Sequence, residues 1–254
     1  EGSAIGTLIF QIAMAVALVW VLWRRTHGLD LSLVPHWGGI ASSLREGIPL
    51  LIRTLALRAA LYVTTWVAAR AGAITMAAYQ VTMTIWNLLL MTMDALGIAG
   101  QALTGASLGA GDIRRTRLLT GTMTRWGVWA GVVIGALLAA SHQLVPAIYT
   151  NDPAVHRAVA AGLLVVAVEQ VIAGPAFILD GVLIGAGDGR WLSRAQVVMF
   201  LVYLPMAWAV HLWAPADPAA AVVWLWIAFG GFMAVRCGIL AWRAHGDAWM
   251  RTGA

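Results

Sequence analysis

The chain of 254 residues is 61% hydrophobic and only 11% charged, with a mean hydropathy of +0.82. A soluble domain carries about a quarter of its residues charged, so that class is excluded, and apolar runs of membrane-spanning length recur along the chain. The net charge of +5 does not indicate nucleic acid, because the basic residues are all Arg and most sit in short loops between apolar runs.

Taken in order, the runs predict seven transmembrane helices: Ile5–Trp23, Ile48–Ala69, Thr75–Leu103, Thr122–Ala140, Val159–Ile184, Ala195–Trp213 and Ala219–Trp242. The fold class is therefore an all-α polytopic membrane bundle. One set of loops holds Arg24, Arg25, Arg45, Arg114, Arg115, Arg117, Arg190, Arg194, Arg243 and Arg251, whereas the opposite set holds Arg70 and Arg157. Positive residues mark the cytoplasmic side, which places the C-terminus inside. An odd number of spans behind Glu1 is what a piece of a larger transporter would give. Asn151-Asp152-Pro153 and Asp217-Pro218 read as outer turns, and Gly174-Pro175 as a kink in the fifth span. Gly127, Gly131 and Gly135 form a small-residue ridge suited to close helix contact.

The third span carries the clearest polar pattern. Gln80, Asn87, Asp94 and Gln101 fall seven apart in an otherwise apolar helix. Seven steps of 100° miss two full turns by about 20°, so the four form one drifting stripe. A narrow polar seam in a membrane helix faces protein or a water-filled cavity. In the second span Thr54, Arg58, Tyr62 and Thr65 form a similar stripe. These two stripes supply the candidate cavity residues Gln80, Asn87, Gln101, Thr54, Arg58 and Tyr62.

Charges inside spans are costly, so Arg53, Arg58, Asp94, Glu169 and Asp180 invite a functional reading; Arg125 and Arg236 are placed near enough to the inner boundary to snorkel. The candidates for ion coupling are Asp94, Glu169 and Asp180. The second and third spans form a hairpin about Gly72–Ile74, in which Arg53 and Asp94 share a depth. The expectation is a structural ion pair between Arg53 and Asp94. Counting back from Asp112 and Asp188 puts Glu169 in the same layer, if the two inner loops lie at one height. With Asp94 paired, Glu169 or Asp180 is left to exchange a proton.

Other motifs carry less. Gly105-Ala106-Ser107-Leu108-Gly109 matches the G-x-S-x-G elbow but lacks the preceding strand and the partners that a nucleophile needs. The six histidines (His27, His36, His142, His156, His211, His245) show no metal-ligand spacing, so no metal and no enzyme activity is expected. Single Cys237 reads as a packed thiol. Leu108-Gly109-Ala110-Gly111-Asp112 is echoed by Ile184-Gly185-Ala186-Gly187-Asp188, each time after an inward-running span and before arginines, as internal repeats of transporters would give.

Ala78–Val81, Asp94–Gln101, Leu108–Asp112 and Leu179–Asp188 together resemble the multidrug and toxic compound extrusion (MATE) family, most closely its DinF branch. The resemblance implies a twelve-helix, two-lobe exporter. Residues 1–36 would be the last helix of the N-terminal lobe plus a cytoplasmic linker, and 37–254 the six-helix C-terminal lobe. It further implies no cofactor beyond a coupling proton or sodium ion, a small organic, cationic substrate, and the N-terminal lobe and lipid bilayer as partners. The location implied is a bacterial inner (plasma) membrane. The DinF-type coupling Asp lies on the first helix, outside this chain. Asp94, Gln101 and Asp180 match motif positions of the family. Other branches place cation-linked carboxylates in the seventh and tenth helices, and here the seventh-helix counterpart carries Arg53 and Arg58 instead. The competing readings are a lipid-linked precursor flippase of the same superfold, which needs a more cationic cavity, and a purely structural bundle. An intramembrane enzyme would need a clustered His, Ser or metal set.

Overall fold

The computed structural model describes residues 2–26, 37–250 and 252. The linker expected before residue 37 and the loop residue Arg251 fall outside the described residues. The chain divides into two compact units, Glu1–Leu44 and Arg45–Ala254. The first contains α1 (Gly2–Thr26), whose segment Ile5–Arg24 is predominantly apolar, with a mean hydropathy of 2.3. The boundary between units falls within α2 (Trp37–Arg70).

The second unit continues with α3 (Ala73–Gly109), α4 (Ile113–Ser141), α5 (Leu144–Tyr149), α6 (Pro153–Gly185), α7 (Gly189–Trp213) and α8 (Pro218–His245). Seven helices are long and apolar enough to cross a membrane, as expected, and no strand occurs among the described residues. Short α5 was not anticipated; it occupies the segment read as a loop before the Asn151-Asp152-Pro153 turn.

Helix α6 lies at the centre, packed by α3, α4 and α8. It has the highest mean hydropathy in this unit, 2.0, and is apolar on every side. A helix hydrophobic all round suits lipid or a protein interior, and most of α6 is buried among its neighbours. Small residues let its neighbours approach. A Cβ on Gly127, Gly131 or Gly135 of α4 would strike the backbone of Gly174, Gln170 or Ala167 of α6. Gly97 of α3 meets Gly181 in the same way. The ridge on α4 is therefore a packing surface, and Gly174 is required by contact with α4.

The two Gly-rich echoes close their helices identically. Gly111 and Gly187 both adopt φ 75°, a left-handed conformation natural to glycine. Asp112 N–H donates to Ser107 O and Asp188 N–H to Leu183 O, each at 3.0 Å. Gly111 and Gly187 donate to Leu108 and Ile184. This is the Schellman closure of a helix C-terminus, used twice. The G-x-S-x-G stretch is simply the end of α3: the Ser107 hydroxyl is buried, 3.1 Å from Thr104 O and 2.7 Å from the Thr116 hydroxyl.

Ion pairs tie the two ends of the unit. Arg157 and Asp217 lie 3.7 Å apart where α6 and α8 begin. At the other end, Arg243 Nε donates to Asp188 at 2.7 Å and Arg117 pairs with Asp247.

Candidate functional site

The predicted seam lies on the outside of the unit. Gln80, Asn87, Asp94 and Gln101 of α3 are all exposed, as are Thr54 and Arg58 of α2. Tyr62 is 73% exposed. The reason is the opposite face of α3, where Met93, Gly97 and Gly100 are buried. Thr65 departs from the expected stripe: half-buried, its hydroxyl lies 3.3 Å from that of Tyr79. The two arms of one helical hairpin thus present polar side chains away from their own core, at depths where hydrocarbon would otherwise be expected.

The expected pair of Arg53 with Asp94 is corrected by the structure. Arg53 turns inward, and its guanidinium grips Asp180 of α6 through both carboxylate oxygens. Arg236 of α8 joins from the other side, Nη2 lying 3.2 Å from Asp180 Oδ2 and the guanidinium 4.9 Å from the Phe177 ring centre. Among the described residues Asp94 makes no ion pair within 4.0 Å, although its charge acts on both Arg53 and Arg236. Hairpin geometry fixes depth alone. Asp94 faces outward on α3, whereas Arg53 projects towards the central helix, which the hairpin does not include. Arg236 was assigned to the inner boundary as a snorkelling residue. It is instead fully buried, with 1% exposure. Asp180 is therefore a bridge joining α2, α6 and α8.

Glu169 lies eleven residues before Asp180 on α6, roughly 16 Å along the axis at 1.5 Å per residue. It is buried, and neither carboxylate oxygen accepts a hydrogen bond among the described residues. The Trp86 indole is near enough to interact but is not in hydrogen-bonding geometry, and α8 passes it at Gly230. Glu169 therefore does not share the layer of Arg53 and Asp94. The two echoed loops lie at different heights: Gly185, the last residue of α6, packs against Gln101 and Gly105, one to two turns before α3 ends. Buried hydroxyls also link helices within this core. Tyr203 and Thr64 share a hydrogen bond between α7 and α2, and Trp226 Nε1 donates to the Thr82 hydroxyl at 2.9 Å. Tyr203 lies within electrostatic reach of both Glu169 and Tyr79.

The geometry thus has an exposed polar wall, a buried three-residue bridge at Asp180 and a buried carboxyl without a partner at Glu169. The MatE family model matches residues 49–209 of the chain. The chain belongs to the MATE family. It is 31% identical over 237 residues to the DETOXIFICATION 45 protein, chloroplastic, of Arabidopsis thaliana, covering 92% of this chain and 40% of that protein. It is 28% identical over 215 residues to a probable multidrug resistance protein NorM of Xanthomonas campestris, covering 79% of this chain and 44% of that one. The crystal structure of a MATE protein in complex with MaL6 superposes with a TM-score of 0.75 at 16% identity, covering 92% of this chain and 55% of that one. The chain thus spans about half the length of these relatives.

In this MATE chain three functional candidates were not visible as such in the sequence. Arg236 looked like a boundary residue, and the hydroxyls of Thr64 and Tyr203 had no motif to mark them. A signal for Arg236 did exist: it sits well inside α8, about nine residues or 13 Å before the helix ends, too deep for a cost-free charge.

Proposed function

We propose that the chain forms one half of a secondary antiporter that exports small lipophilic, cationic compounds in exchange for protons or sodium. The exposed seam of Thr54, Arg58, Tyr62, Gln80, Asn87, Asp94 and Gln101 carries this reading. Polar and charged side chains within a membrane span face water or protein, so the seam is one wall of a polar path. In this reading residues 37–254 are the C-terminal lobe, residues 1–36 end the N-terminal lobe and supply the linker, and the N-terminal lobe provides the facing wall. The described wall carries one cation, Arg58, and one anion, Asp94. That balance favours small organic substrates over the polyanionic headgroups of a lipid-linked precursor.

Asp94 on the wall and Glu169 behind it are the proposed coupling carboxyls. Glu169 can exchange a proton without breaking an ion pair. Asp180 is assigned to holding α2, α6 and α8 together. The arginine distribution supports placing the C-terminus in the cytoplasm, and the likeness to bacterial NorM proteins supports a bacterial inner membrane location. Full-length protein reconstituted in vesicles, with an imposed proton or sodium gradient and a fluorescent lipophilic cation, tests the reading. Gradient-dependent dye movement with one of the two ions is expected; no movement with either contradicts it.

A further inference from the structure

At the end of the bundle where α3 and α6 terminate and α7 begins lies a cavity of about 890 Å³. It is distinct from the seam and from the Asp180 bridge. Leu50 supplies an apolar side, and Arg190, Arg194, Arg243, Asp188 and Trp191 supply the polar one. Arg243 is occupied by Asp188 and lies 5.1 Å from the Trp191 ring centre. Arg190 and Arg194 are exposed and make no ion pair among the described residues. The described lining therefore holds three cations against one anion.

The two echoed loops explain why the charge is free here. In the first loop Asp112 caps its own helix, its carboxylate accepting from Arg115 N–H at 2.8 Å. In the second, Asp188 occupies the same position but makes no side-chain cap to α7, because Arg243 of α8 has drawn its carboxylate away. Trp191 N–H donates to the Asp188 carbonyl at 3.1 Å instead, which leaves the Gly189 and Arg190 amides without an acceptor among the described residues, at the positive end of the helix dipole. Two unpaired guanidiniums and a helix start left without its side-chain cap thus meet in one pocket with an apolar flank.

We propose that this cavity binds a phosphate-bearing anion, held by Arg190 and Arg194 over the start of α7. An anionic phospholipid would place its headgroup there and an acyl chain along Leu50; a free phosphate would use the same donors. Native mass spectrometry of the full-length protein released from detergent distinguishes the sources, using dioleoyl phosphatidylglycerol, dioleoyl phosphatidylcholine and inorganic phosphate as probes. Selective retention of phosphatidylglycerol, reduced about thirtyfold by Arg190→Gln with Arg194→Gln, is the expected result for two basic residues at an anionic membrane surface. Retention of inorganic phosphate lost in the same variant supports the anion site with a soluble ligand. Both substitutions are at exposed positions, and unchanged melting shows that the variant is folded. Arg114→Gln with Arg115→Gln removes equal charge beside the first loop and should leave retention unchanged. Equal loss in both variants, no preference over phosphatidylcholine without phosphate binding, or undiminished binding in the Arg190 and Arg194 variant overturns the proposal.

Discussion

Two aspartates at nearby depths behave oppositely. Asp180 is buried on the central helix between two arginines, whereas Asp94 faces outward from α3 without an ion pair among the described residues. Both sit in membrane-length helices with similar flanking residues. The difference lies in which face of the helix each occupies. Around Asp180 every neighbour is protein, and the charge is compensated locally. Asp94 has no such bonded counter-charge among the described residues and acts on Arg53 and Arg236 only at a distance, as expected of a surface that meets water or ligand.

The largest effect should come from breaking the compensated site. Asp180→Ala leaves buried Arg236 and half-buried Arg53 without their shared counter-charge and should lower stability by about 3–5 kcal/mol. Thermal melting in detergent reads this directly. A double-mutant cycle of Arg53→Met with Asp180→Asn should return a coupling of about 0.5–3 kcal/mol, and the cycle with Asp94→Asn clearly less. Equal couplings would restore the pairing expected from the hairpin.

That expectation shows what the sequence could express. Periodicity is local, so the spans, the seam and the glycine ridge were all readable from spacing along one helix. The echoed LGAGD and IGAGD segments were readable for the same reason, since a Schellman closure depends on a few consecutive residues. Arg53 was different. Its hairpin neighbour was legible from chain length, but its true partner is on α6, 127 residues away. Depth can be counted along a chain; the direction in which a side chain points across three packed helices cannot. Asp112 and Asp188 make the same point, since identical local closures leave one carboxylate capping its helix and the other bound to α8.

Smaller effects on stability sharpen the comparison from the other side. Asp94→Asn removes no ion pair and Glu169→Gln removes no hydrogen bond, so each should change stability by less than about 1 kcal/mol. Each should nevertheless diminish gradient-driven dye movement in vesicles, and Glu169→Gln should flatten its dependence on pH. Full activity in both variants would remove them as coupling carboxyls and leave them as structural residues.

The most direct test of the central claim asks whether the seam is wet. In a full-length Cys237→Ser background, cysteines are placed singly at Gln80, Asn87, Asp94 and Gln101, and at Val133 and Leu137, which are exposed on α4. Reaction with a water-soluble, membrane-impermeant thiol reagent is followed in vesicles opened to both sides. The account predicts that the seam positions react readily while Val133→Cys and Leu137→Cys stay protected by lipid. Seam positions as unreactive as the two α4 controls would contradict it.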